Sequence, residues 1–107
     1  MSRGTERQRA LRRALLALCP RIPLADAQDI MAAASAGSLR ALPPEVAAWL
    51  GATSHIRHRH TEYDALLGEG YDRDAARWFV LDAMNDRLLD WGATRTVGEG
   101  DEATDPG

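Results

Sequence analysis

Proline and glycine divide this chain into short segments, and the apolar residues between them recur at helical rather than strand spacing. Leu11, Leu15 and Leu18 fall at i, i+4 and i+7, one stripe on a helix. Thr5, with Gln8 three residues on, fits a capping box, so the first helix is predicted to start at Thr5. Pro20 ends it, and Pro23 keeps the connection to the next helix stiff. A second helix is predicted from Leu24 to Ala34 or Ser35, with Leu24, Ala27, Ile30, Met31 and Ala34 inward. Ser38–Leu42 reads as a connector. Pro44 suits a first helical position. A third helix then runs through Val46, Trp49, Leu50, Thr53 and Ile56, as far as His60. Thr61 is placed as the cap of a short fourth helix that ends at Gly68–Gly70, with Asp64 in the place of the usual capping-box glutamate. Asp72 caps a fifth helix that runs to about Asp90 and closes at Gly92. No segment alternates as a strand does. The expected fold class is therefore all-α, a small bundle of four or five helices. Residues 1–92 are expected as one helical domain. Residues 93–107 are expected as a disordered acidic tail, because glycine and Glu99, Asp101, Glu102 and Asp105 dominate it.

The fifth helix carries apolar side chains over more than half its circumference. Phe79, Ala83, Ala76, Val80, Trp91 and Met84 form one broad face, which Trp78, Leu81, Leu88 and Leu89 extend. Such a helix is either central in its own bundle or buried against a second chain. Trp78, Leu81, Leu88 and Leu89 are accordingly the candidate interface for a protein partner or a homodimer.

Composition narrows the function classes. Nothing approaches the ~20 apolar residues of a membrane span, and the opening residues lack the apolar core of a secretory signal. Cys19 is the one cysteine in 107 residues. It cannot form an intrachain disulfide or a thiolate zinc site alone, which fits a cytoplasmic protein. All thirteen basic residues are arginine, and the net charge is −3. That charge is segregated: residues 1–60 hold nine arginines against four acids, and residues 61–107 hold four against twelve.

All three histidines lie within His55–His60. The stretch Arg57-His58-x-x-Thr61-x-Tyr63-Asp64-x-Leu66-Leu67 continues through Arg73, Ala76 and Arg77 to Trp91. Over residues 43–91 these positions resemble an uncharacterised bacterial and fungal family, domain of unknown function 2293. The resemblance implies no established activity, so no catalytic role is carried over.

The residues themselves admit several readings. Arg57, His58, Arg59, His60, Thr61, Tyr63, Asp64 and Arg73 form the candidate polar site. As a corner, the cluster would hold two helices at a fixed angle. Arg57 would enter the core edge against Asp64 or Asp72, Thr61 would cap, and Tyr63 would pack with its hydroxyl outward. As a basic patch from Arg57 to His60, joined by Arg9, Arg12 and Arg13, it would track phosphates in a nucleic acid. As acid–base machinery, His58 with Asp64 or Tyr63 would serve a metal- or His-dependent hydrolase. Metal ligation meets a geometric objection. On an unbroken helix His55 and His58 lie ~60° apart, but His60 points ~140° from His55; a break at His60 would relieve this, with Glu62 and Asp64 nearby and Asp82 or Asp86 as the acids to recruit from elsewhere. The primary expectation is a non-enzymatic interaction module with no metal and no cofactor. Nucleic-acid binding is the alternative and the hydrolase a third reading.

Overall fold

In the computed structural model, residues 3–98 are described. They form α1 (Arg3–Leu18), α2 (Leu24–Ala34), a 3₁₀ turn (Gly37–Ala41), α3 (Pro44–Arg59), α4 (Tyr63–Gly68) and α5 (Arg73–Asp90). The all-α expectation holds among these residues. α1 begins two residues before the predicted start at Thr5, whose side chain lies outside the described residues. No described helix is long and apolar enough to cross a membrane.

The central element is α3, not α5. α3 packs against α1, α2, α4 and α5. It buries Ala47, Ala48, Trp49, Gly51, Ala52, Thr53, Ile56 and Arg57, which is most of its circumference. Small residues make this possible, because they let neighbouring backbones approach closely. A Cβ added at Gly51 would sit 3.3 Å from Ile30 Cγ2, so α2 crosses α3 where no side chain intervenes. Val46, one of the apolar positions that mark this helix in the sequence, is exposed.

α5 buries one stripe instead: Ala76, Arg77, Val80, Met84 and Leu88. These positions recur every three or four residues, as a helix packed on one side requires. Trp78, Phe79 and Leu89 are 62%, 54% and 53% exposed, and Ala83 is exposed as well. The broad apolar arc of the sequence is therefore split between core and surface. Of the predicted α1 stripe, Leu11 and Leu15 are buried and Leu18 is half-buried, while Cys19, just past the helix, is fully buried. Burial pushes the Cys19 thiol up to about 11, so it stays protonated. On α2, Ile30 and Ala34 are buried, but Leu24 is 69% exposed, against expectation.

Arginines join the elements by capping carbonyls. Arg7 donates from Nη1 to Leu42 O at 2.7 Å, and from Nη2 to Leu39 O at 2.9 Å and Ala34 O at 3.3 Å. One guanidinium from α1 thus serves carbonyls at the end of α2 and around the 3₁₀ turn, sharing Leu39 O with the Leu42 N–H at 3.1 Å. Arg21 does the same for α5, donating to Leu89 O at 3.2 Å and Asp90 O at 3.3 Å. Its backbone N–H reaches Trp91 O at 2.8 Å. Gly92 closes α5 at φ +86°, and a Cβ there would meet Pro20 Cδ at 3.2 Å. Glycine is required at this position on both counts.

The stretch after α5 departs from the expected disorder. Ala93 and Val97 are buried in the main core. Asn85 holds Val97 through a reciprocal pair, Asn85 Nδ2 to Val97 O at 3.0 Å and Val97 N to Asn85 Oδ1 at 2.7 Å. The Arg95 guanidinium lies 3.8 Å from the centre of the Trp49 ring. Two apolar residues four apart dock this strap before the acidic run begins. Residues 99–107, where the rest of the predicted tail falls, lie outside the described residues.

Arg7→Lys tests the clamp, because an ammonium is a point charge and cannot fork to three carbonyls. The variant is expected to lose ~1–2 kcal/mol in urea unfolding, from hydrogen bonds to a charged donor. Unchanged stability would contradict the clamp.

Candidate metal centre

The break at His60 decides the geometry of the histidines. α3 ends at Arg59, and His60 is its C-cap with φ −123° and ψ 10°. The chain leaves the helix at His60, whose N–H still bonds Ile56 O at 2.8 Å but whose φ swings its side chain off the ~140° bearing of an unbroken helix. His55 and His60 converge on one acceptor, Asp26 Oδ1, each with Nε2 at 2.7 Å. Asp26 lies in the first turn of α2. The carboxylate has no proton to give, so both rings donate from Nε2. The three side chains are largely buried: 9% exposed for His55, 24% for His60 and 17% for Asp26. Trp91, at the end of α5, forms the wall, its ring centre 5.6 Å from that of His60 and 6.4 Å from that of His55. The start of α2, the end of α3 and the end of α5 thus meet at one point.

Electrostatics keeps the carboxylate charged. Burial alone would push the Asp26 carboxyl up. The hydrogen bonds from His60 and His55, with the charge of those rings, outweigh it and hold Asp26 below the ordinary aspartate value.

His58 does not join this cluster. Its Nδ1 lies 2.7 Å from Asp64 Oδ1, and both side chains are exposed. Asp64 is therefore a partner of His58 rather than of the α4 cap. The residue before α4 is Glu62, which makes no side-chain cap bond. Thr61 works across the corner instead. Its hydroxyl donates to the Arg57 carbonyl and accepts from Tyr63 N at 3.2 Å, tying the end of α3 to the start of α4. Tyr63 is 1% exposed, and its hydroxyl is buried without a hydrogen-bond partner, not outward as expected. Arg57 is equally buried, with its guanidinium carbon 5.7 Å from the Tyr63 ring centre. A buried Arg57 cannot reach a phosphate, so the basic patch loses its first arginine. Arg59 is exposed, 3.8 Å from Asp29 across to α2. Arg73 opens α5 on the exposed side.

Of the candidate interface residues, Trp78 and Leu89 are exposed and Leu81 is half-buried. Leu88 is fully buried within its own chain, so it is not available to a partner. Asp26 is the site residue that sequence reasoning missed. Its ordinary place in the first turn of a helix, where acids favour the dipole, concealed it.

Within the described residues Asp26, His55 and His60 are the one His/Cys/Asp/Glu group compact enough for an ion, their ligand atoms all within 4.8 Å of one another. Two imidazoles and a carboxylate on a helical scaffold are a donor set suited to first-row divalent ions. Residues 14–92 match the family described as "Uncharacterized conserved protein (DUF2293)", and the chain belongs to that family. The match begins well before residue 43, so it takes in Asp26 as well as both histidines. No curated protein and no solved structure matches the chain.

The lowered Asp26 carboxyl has a pH consequence. Its stabilisation is complete above the ordinary aspartate range of ~4 and is lost as pH falls through the lower folded-state value. Asp26→Asn is therefore expected to be less stable than the parent at about pH 5–6, with the gap closing as the medium is acidified to about pH 2. Urea midpoints across that range check this. A gap independent of pH would contradict it.

Proposed function

We propose that this chain is a small helical metal-binding protein, with Asp26, His55 and His60 as ligands for a first-row divalent ion such as zinc. The observation that carries the reading is the convergence of both Nε2 atoms on one Asp26 oxygen. A tetrahedral ion with bonds of ~2.0–2.2 Å sets its ligand atoms ~3.3 Å apart. Relative to the 2.7 Å hydrogen bonds, the carboxylate would withdraw by about half an ångström, within reach of a side-chain adjustment. The ion replaces the two Nε2 protons, so acid competes with it. Three protein ligands leave a position for water or a small anion. Soft thiolate chemistry is absent from the set, and two imidazoles favour zinc, copper, nickel or cobalt over magnesium or calcium.

The ion would clamp the start of α2 to the end of α3, the same junction that the hydrogen bonds now hold. Binding to the folded state alone raises stability by ~2.7 kcal/mol at a hundredfold excess over Kd. Trp91 lies beside both rings, so a paramagnetic ion such as Cu²⁺ would quench its fluorescence.

Untagged protein titrated with Zn²⁺ is expected to bind one ion per chain. Asp26→Ala, His55→Ala and His60→Ala should each weaken binding by at least about tenfold, the loss typical of metal-site changes. His58→Ala, whose ring is committed to Asp64, should leave it unchanged. Wild-type binding no tighter than that of the doubly substituted His55→Ala/His60→Ala protein would overturn the reading.

A further inference from the structure

Two exposed surfaces of this chain are both apolar and opposite in charge. The first is the outer face of α5. At ~100° per residue, Trp78, Phe79, Asp82, Asp86 and Leu89 fall within one arc of ~100°. All five are exposed. The aromatic cluster is propped upright, with Trp78 edge-on to Phe79 at 5.4 Å and Tyr71 edge-on to Phe79 at 5.5 Å. No arginine lies in this arc. Arg77 is buried, and Arg73 and Arg87 point at least ~140° away from Trp78.

The second surface is a groove between α1 and α2 of about 440 Å³. Leu15, Leu16, Ile22, Leu24 and Met31 line its apolar floor, with Arg12 among the lining residues. Leu16 and Leu24 are 47% and 69% exposed, a large apolar surface for a rim. Arg12 and Arg13 are exposed on α1 beside it. The volume falls in the range of pockets that take a ligand of drug size, so an aromatic side chain fits. The chain's own Trp78 and Phe79 do not line the groove.

We propose that these two surfaces form one self-association contact. The Trp78–Phe79 knob of one copy enters the α1–α2 groove of a second copy, and Asp82 and Asp86 face the second copy's Arg12 and Arg13. The occupant is another copy of this chain because both halves of the match are present in it, in keeping with its basic first part and acidic second part. A symmetric contact of α5 with α5 is disfavoured, since it would set Asp82 and Asp86 of both copies against each other. The contact joins two different patches, so it closes where two copies exchange knob and groove reciprocally or where a ring forms, and continues as a chain of copies where the rotation does not close. Buried aromatics are the residues that dominate such contacts.

Sedimentation velocity and light scattering of the full chain test this, with a chelator present so that the metal centre plays no part. The weight-average mass is expected to rise with concentration above that of one copy and to fall as salt is added. Trp78→Ser with Phe79→Ser, both at exposed positions, should leave a helical monomer. Asp82→Arg/Asp86→Arg alone and Arg12→Glu/Arg13→Glu alone should each weaken association at least about tenfold, and mixing the two proteins should restore it, because opposite charges then face each other again. Three results would overturn the proposal. One is a monomer at every concentration up to millimolar. Another is a dimer that grows no further and ignores reversal of Arg12 and Arg13. The third is a monomer that captures an added basic amphipathic peptide on the α5 face, which would give that face to a different partner.

Discussion

One carboxylate oxygen holds the junction on which this arrangement depends. Asp26 Oδ1 takes hydrogen bonds from His55 and His60 at 2.7 Å each. The bond set fixes where α2 begins relative to where α3 stops, and Trp91 seals it from the end of α5. The Arg21 contacts with Leu89, Asp90 and Trp91 hold that same end of α5 to the α1–α2 connection. Removing the Asp26 carboxylate would leave two largely buried imidazoles without their common acceptor, and unmet buried donors cost ~1–3 kcal/mol. On the proposed reading an ion would take the place of the two Nε2 protons with little rearrangement, so that clamp and metal site would be one geometry in two states of protonation.

Arginine carries the remaining polar architecture. Arg7 and Arg21 each fork onto carbonyls at a helix end, and Arg57 is buried at the corner beside Tyr63. A guanidinium offers five donors in a rigid plane, which is what several carbonyls at one helix end require. The absence of lysine thus has a structural counterpart inside the fold, whatever set the composition. Alanine has one too. Ala47, Ala48 and Ala52, with Gly51, give α3 a narrow surface that its neighbours can approach closely.

Helix positions were legible because proline, glycine and Asp72 punctuate the chain, and such signals are local. Asp72 caps α5 as expected, accepting from Ala75 N at 2.8 Å. The identity of the central helix was not legible. Large apolar residues drew attention to α5, whereas small ones placed α3 in the middle, and hydrophobic counting undervalues close approach. The candidate site was half legible. The histidine cluster was visible, and a break at His60 was the condition for convergence. Which histidine would be left out, and that Asp26 would complete the set, depended on a contact across 29 residues. Spacing carries no information about such a contact. The strap at Ala93–Val97 was missed for a similar reason: its anchor is the Asn85 side chain, and its own sequence is nearly featureless.

A crystal grown with zinc, measured on both sides of the zinc absorption edge, would test the central claim most directly. The metal reading predicts one strong anomalous peak about 2 Å from His55 Nε2, His60 Nε2 and an Asp26 oxygen together. A peak at His58 and Asp64 alone, or none near Asp26 while both histidines remain hydrogen-bonded to it, would contradict that reading and leave Asp26 as a purely structural clamp.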